Sequence, residues 1–183
     1  MLRNVAGLVT GQVIVYIGCM GGNTAARNQR SHPVINVNTA TLADQYINGQ
    51  AVEPTADEVA TFTDWVNGQF ERIERRVQFT PDEVSPERMQ HYWNHYGLLL
   101  ISTAHNEHPF WSEETNARFR AIHDWDHIAG RLGFDMAGEL CAAVYAMEAA
   151  PESIRWILYS EIALQAAAAI HTGQFQPQKL VRV

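Results

Sequence analysis

The chain has 183 residues, of which 46% are hydrophobic and 18% are charged. This composition excludes disordered, coiled-coil and collagen-like chains, and the length suits one domain with an appended segment. The formal net charge of -7 opposes binding to a phosphate backbone, so we expect no nucleic-acid partner. The two cysteines, Cys19 and Cys141, are too few for a disulfide framework or a thiolate zinc site, and they fit a reducing compartment.

Residues 1–37 differ in pattern from the rest of the chain and predict an N-terminal arm. The β-branched run QVIVYI at 12–17 predicts a short strand, residues 21–33 predict a polar loop, and residues 34–37 predict a second short strand. The apolar stretch 5–22 fits neither a transmembrane helix nor a signal peptide well, so a strand, a buried helix and a processed segment stay open. We expect a cytoplasmic or particle-associated protein whose arm contacts an assembly partner or another copy of the chain.

From residue 38 onward, hydrophobic residues recur at helical spacing. Thr55 and Glu58 form a capping box, and an apolar stripe follows them as far as Val77. Residues 174–183 can be docked or loose. The predicted helices span residues 39–48, 55–77, 86–104, 113–132, 136–149 and 152–171. The sequence therefore predicts a mainly α fold, a multi-helix bundle over residues 38–183 with a small irregular or β-containing N-terminal segment over residues 1–37.

The strongest indication of a metal site is the pattern His123-Asp124-x-x-His127, followed by Glu139. On a helix, His127 lies about 40° from His123 and Asp124 about 100° from it, so the three side chains share one broad face. Glu139 falls at the start of the next predicted helix, from which it can return to the histidine pair. Imidazole and carboxylate groups suit a divalent metal, zinc first, with iron and manganese as alternatives. We predict His123, Asp124, His127 and Glu139 as metal ligands, with Asp124 as fourth ligand or catalytic general base.

The run HDWDHIAGRLGFDMAGE, from His123 to Glu139, resembles the zinc-binding signature of the ubiquinone-biosynthesis family usually counted fourth in the coenzyme Q pathway. The following GELCAAVYAME resembles the small-residue helix of that family. The resemblance implies an all-helical, lipid-associated protein with His123, Asp124, His127 and Glu139 as ligands, linked to removal of a ring carboxyl group during quinone synthesis. The His123-Asp124 doublet also resembles HD-type metal-dependent phosphohydrolases, whose pattern needs further His and Asp ligands and does not use Glu139.

Other polar residues each allow two interpretations. His105 and His108 are predicted near a helix end, where they can supply an auxiliary ligand or a proton shuttle, or simply be solvated. Glu161 and Gln165 lie four residues apart on an apolar helix. Glu161 can accept a hydrogen bond from a metal-bound imidazole, or the two residues can form a surface pair.

These observations support three hypotheses. The first is a metalloenzyme, a lyase or a hydrolase, acting on a small apolar or ring-bearing substrate in a pocket lined by Trp125 and the aromatic residues between 92 and 96. The second is a non-enzymatic assembly protein, for example a subunit of a viral particle, with a structural or vestigial metal site. The third is a peripheral membrane protein that binds a lipid or a quinone. We also expect homo-oligomers.

Overall fold

The structure, a computed structural model, describes residues 38–183. The predictions made for residues 1–37 lie outside the described residues. Five helices follow one another before residue 150: α1 Thr39–Asn48, α2 Ala56–Phe70, α3 Pro86–Tyr96, α4 Glu113–Gly130 and α5 Met136–Ala149. The prediction of a mainly α fold is confirmed. None of the helices within 38–183 combines the length and hydropathy that a bilayer span requires.

The helical stretch predicted over residues 152–171 is present but is not one regular α-helix. It starts with a 3-10 turn, changes to α, passes through a π-helical turn and returns to α. The four parts are the 3-10 turn Glu152–Ile154, α6 Arg155–Leu158, the π-helical turn Tyr159–Leu164 and α7 Gln165–Thr172. Such π-helical turns are rare and occur often at functional sites.

A small parallel sheet is present where the ends of two helices were predicted. Strand β1, Val77–Thr80, pairs with strand β2, Leu99–Ser102, so that Val77 lies beside Leu99. The helix predicted over 86–104 is wrong beyond Tyr96, because Gly97 adopts a left-handed conformation (φ 65°) that ends α3. The helix predicted to continue to Val77 is likewise wrong beyond Phe70, where α2 ends. A 3-10 turn and then β1 follow.

The predicted helix starts are confirmed by their hydrogen bonds. The capping box between Thr55 and Glu58 is complete, since each side chain pairs with the backbone N–H of the other. Ser85, Ser112 and Asp135 each accept a hydrogen bond from a backbone N–H three residues further on. These caps fix where α2, α3, α4 and α5 begin, and thereby fix the positions of the side chains on α4 and α5.

An aromatic cluster centred on Phe62 joins α2 to α4. The Phe62 ring is fully buried and its centroid lies 4.3 Å from that of Trp111 and 5.3 Å from that of Phe119. Trp65, one turn along α2 from Phe62, donates to a backbone carbonyl at the end of α5. Burial of such rings supplies much of the hydrophobic stabilisation of a domain of this size and holds α4 firmly against its neighbours.

Segment 173–183, which follows α7, docks on the helical body. Leu180 and Val181 are buried, and Val181 forms an antiparallel bridge with Ala51. The Lys179 ammonium donates to two backbone carbonyls at the end of α1, at 3.0 and 2.9 Å. Of the two states left open by the sequence, docked or loose, the structure shows the docked one.

Candidate metal centre

Helices α4 and α5 bring the three ligand candidates together. His123 and His127 lie one turn apart near the end of α4, and Glu139 lies in the first turn of α5. Between the helices, the chain turns so tightly that a Cβ on Gly138 would lie 1.8 Å from the carbonyl oxygen of Gly133. A glycine is therefore required at residue 138 for the start of α5 to approach this turn and place Glu139 beside the histidines.

The side-chain atoms of His123, His127 and Glu139 converge on one point. One ligand atom from each residue lies within 4.8 Å of the others. The Glu139 carboxylate is 3.3 Å from Nε2 of His123 and 3.5 Å from Nε2 of His127. His127 and Glu139 are buried, with 1% and 7% of their surface exposed, whereas 21% of the His123 side chain is exposed. The group thus has two buried members and one that reaches towards solvent.

Three ring nitrogens of this group have no hydrogen-bond partner. They are Nδ1 of His123 and both Nδ1 and Nε2 of His127, and all three are buried. A buried polar atom without a partner costs free energy, and native proteins rarely keep one without a reason. Of the three, Nε2 of His127 faces the Glu139 carboxylate at 3.5 Å, and a metal ligand must offer a free lone pair of this kind. The residues present therefore fit a divalent metal.

The electrostatics of the group favour an ionised Glu139. Burial raises the pKa of this carboxyl group, but the nearby His123 and His127 outweigh burial and hold the pKa at about 2. Burial lowers the pKa of His123, yet the contact with Glu139 reverses that effect and leaves it above its ordinary value of 6.5. Without a metal ion, both shifts favour the charged forms, a carboxylate on Glu139 beside an imidazolium on His123.

The two aspartates of the motif lie beside the group without joining it. Asp124 contributes no atom to the three-residue group, so its roles as fourth ligand and general base stay predictions. Burial raises the pKa of Asp124, while the positive charges of His123 and His127 partly oppose the rise. Asp126, which the sequence analysis did not single out, has a pKa raised by burial to about 6. The signal for it was present in the sequence, as a second acid between the two histidines.

One aromatic ring packs directly against the centre. Phe134, in the turn between α4 and α5, stacks on the His127 ring at 4.4 Å between centroids and is 38% exposed. Trp125 meets Trp93 edge to face at 5.5 Å. Trp125 and Trp93 were predicted from the sequence to line a pocket, whereas Phe134 was not, although its position just before the Asp135 cap could have indicated it. Phe134 therefore offers an apolar contact to a ligand that approaches His127. Trp125 lies about 200° around α4 from His123, so the Trp93–Trp125 pair is not shown to line the centre.

The remaining polar residues of the sequence analysis lie elsewhere. His105 and His108 are in the loop between β2 and α4, so their predicted place near a helix end is wrong, for the same reason that β2 replaces the end of the predicted helix. His105 is exposed. Glu161 is buried and faces His108 at 3.6 Å, which excludes a surface pair with Gln165. The imidazole that Glu161 contacts is thus that of His108 and belongs to neither predicted ligand.

Comparison with known proteins adds no relative to these observations. The chain matches no family model, no curated protein and no solved structure.

Proposed function

We propose that this protein is a metal-dependent enzyme in which His123, His127 and Glu139 hold a zinc ion. The observation that carries the proposal is the convergence of these three side chains at one point, where the buried Nε2 of His127 lacks a hydrogen-bond partner. Two imidazoles and one carboxylate form the protein ligand set of open catalytic zinc sites. The same set also serves iron(II) with open positions, so iron and then manganese are the alternatives.

A bound ion of this kind would polarise a substrate oxygen or lower the pKa of a water molecule. The protein supplies the remaining parts of the site. Phe134, which stacks on His127, would contact an apolar or ring-bearing substrate at the centre. Burial raises the pKa of Asp126 to about 6, which suits a group that accepts or returns a proton near neutral pH. Burial also raises the pKa of Asp124.

For the reaction, we propose removal of a carboxyl group from an aromatic ring, as the motif-level resemblance to the ubiquinone-biosynthesis family implies. The presence of Glu139 in the convergent group supports this family over the HD-type phosphohydrolases, because Glu139 belongs to the pattern of the first and not to that of the second. Contact with a membrane surface and self-association through residues 1–37 stay predictions.

Elemental analysis of the purified full-length chain tests the metal. After expression with zinc, iron and manganese all supplied, we expect one equivalent of one metal per chain, zinc first. His127→Ala and Glu139→Ala should lose it, whereas Glu148→Ala, an exposed acid on the same helix α5, should keep it. Sub-stoichiometric metal in the unmutated protein would contradict the proposal.

The reaction has a separate test. We expect the metal-loaded protein to release carbon dioxide from a hydroxybenzoic acid that carries an apolar side chain, and the metal-free protein to release none. A loaded protein without this activity would overturn the reaction but leave the metal site standing.

A further inference from the structure

Strand β1 has a free side. In the part of the chain that the structure describes, β1 pairs only with β2, in a parallel sheet of two strands. Along a strand, successive residues direct their backbone N–H and C=O groups alternately to its two sides. The carbonyl of Thr80 accepts from the N–H of Thr103, which follows β2, so Thr80 and Gln78 face β2. Val77 and Phe79 therefore face the free side, where an edge strand offers unpaired backbone groups.

Phe79 is the residue best placed on this side to bind a partner. The N–H of Val77 is already bonded to the carbonyl of Glu74, whereas the N–H and C=O of Phe79 are both directed away from β2. The Phe79 side chain is 40% exposed and stacks on Phe70 at 5.9 Å between ring centroids. Val77 and Phe79 line an open groove of about 580 Å³. The described part of the chain thus leaves this side of β1 accessible.

The residues before and after β1 carry opposite charges. Arg75 and Arg76 directly precede the strand, Asp82 and Glu83 follow it closely, and all four are exposed. Each acid already has an ionic contact in its own chain, at 3.5 and 3.6 Å, yet 69% of the Asp82 side chain and 84% of the Glu83 side chain stay exposed. A segment with a basic start and an acidic end is complementary in charge to a second copy that runs in the opposite direction.

Charge and hydrogen bonding select the same register for two antiparallel β1 strands. In a pair with twofold symmetry, one residue lies beside its own copy. When this residue is Phe79, its N–H and C=O groups exchange two hydrogen bonds with the other Phe79, as in every hydrogen-bonded antiparallel pair. Arg76 is then opposite Asp82 of the second copy. Arg75 is likewise opposite Glu83 of the second copy, so both ends of the pair bring opposite charges together.

The neighbouring symmetric registers lack this match. A pair centred on Gln78 would place Glu74 opposite Asp82 of the second copy, and these like charges repel. The backbone groups of its central residue would also face β2 instead of the partner. A pair centred on Thr80 would move both arginines past the acids and leave Phe79 opposite a proline, which has no N–H. The charges and the backbone therefore both specify the register centred on Phe79.

We propose that two copies of this chain form a symmetric dimer through their β1 strands, antiparallel and centred on Phe79, so that the two small sheets join into one sheet of four strands. The second copy covers the free side of β1, and its charged ends neutralise those of the first. The two Phe79 rings lie beside each other across the strands, and such aromatic pairs stabilise antiparallel pairing. The dimer does not depend on a metal at the centre on α4 and α5.

The first test reverses the charges in the full-length chain and measures its mass by sedimentation velocity over the micromolar range. The unmutated chain should be dimeric at high concentration and dissociate on dilution. Arg75→Glu combined with Arg76→Glu makes both ends of β1 acidic, and Asp82→Arg combined with Glu83→Arg makes both ends basic. Each double variant alone should dimerise at least roughly tenfold more weakly than the unmutated chain, because like charges then meet. An equal mixture of the two should form a heterodimer, which also shows that both variants are folded.

The control variant, Glu148→Arg combined with Glu152→Arg, reverses two exposed acids at the end of α5 and just after it. It should dimerise like the unmutated chain. An unmutated chain that is monomeric at every concentration, a double variant of β1 that dimerises with unchanged affinity, or an equal mixture that stays monomeric would overturn the proposal. Because the reversals leave residues 1–37 intact, self-association through that arm would appear as a dimer that ignores them.

The second test measures the register by oxidative cross-linking, at a concentration where sedimentation shows the variant to be dimeric. In a hydrogen-bonded antiparallel pair the two Cα atoms lie about 5.5 Å apart, within the range of a disulfide bond. Phe79→Cys should therefore form a covalent dimer. Gln78→Cys should not, because Gln78 is opposite Thr80 of the second copy. The unmutated chain, with Cys19 and Cys141, gives the baseline. A Phe79→Cys dimer that stays unlinked, or a link through Gln78→Cys instead, would overturn the proposed pairing.

Discussion

Replacing Glu139 by glutamine separates the two contributions that this carboxylate makes, to stability and to metal binding. Glutamine keeps the shape of the side chain but removes the charge that faces His123 and His127. The shift of the Glu139 pKa from 4.5 to about 2 corresponds to roughly 3 kcal/mol of stability in the metal-free protein. In a domain of this size, 1 kcal/mol corresponds to about 2–4 °C, so we expect Tm to fall by roughly 6–12 °C.

This loss should depend on pH with a maximum near pH 6. The pKa of Glu139 is depressed, so its contribution is complete above 4.5 and disappears as the pH falls towards about 2. The pKa of His123 is raised above 6.5, so the contribution of its imidazolium is complete below 6.5 and disappears as the pH rises through the raised value. The ion pair between the two is complete only in the interval between these limits.

The assay is thermal unfolding followed by circular dichroism, in buffers from pH 3 to pH 9, with a chelator and then with zinc. Zinc at 100 times its Kd should stabilise the unmutated chain by about 2.7 kcal/mol and should not stabilise Glu139→Gln. Glu148→Gln makes the same chemical change at an exposed position of α5 and should behave like the unmutated chain. A Glu139→Gln variant with unchanged Tm at pH 6 and a full response to zinc would refute the reasoning.

Three further predictions concern the surroundings of the centre, and denaturant unfolding checks each of them. Asp126→Asn should stabilise the metal-free protein at pH 7.5 by up to roughly 3 kcal/mol and leave its stability unchanged at pH 3. The reason is that burial raises the pKa of Asp126 to about 6, so only the ionised form destabilises the folded state. Equal stability of the variant and the unmutated chain at pH 7.5 would contradict this. Gly138→Ala should cost about 1–3 kcal/mol through its collision with the Gly133 carbonyl, whereas Gly68→Ala, with open space inside α2, should gain about 0.5–1 kcal/mol. Ser112→Ala removes the cap of α4 and should cost about 1 kcal/mol.

Local signals in the sequence were enough for most of the helices. Asp135 caps α5 and Pro151 follows its end, and the helix spans Met136–Ala149 as predicted. The end of α3 was missed because Leu99 and Leu100 continue its apolar spacing beyond Gly97. A strand at Leu99 depends on pairing with Val77, a partner distant in sequence, and helical periodicity carries no information about such pairing.

The candidate centre could be predicted only in part. A separation of four residues places His123 and His127 on one face of any α-helix, so their proximity follows from helix geometry. The same geometry turns Asp124 about 100° away from His123, and its carboxylate lies outside the group of three. The pair of His108 and Glu161 could not be recognised, because it joins a loop to a π-helical turn that no sequence period indicates.

The π-helical turn at Tyr159–Leu164 is equivalent to one residue inserted into an α-helix. Deleting a single residue there would restore regular α geometry and rotate one part of the helix against the other by about 100°. Glu161 could then no longer face His108 while α7 kept its packing against α1. In an alignment of related sequences, a gap of one residue at this turn should therefore accompany the loss of the histidine at position 108, while the helices around it persist.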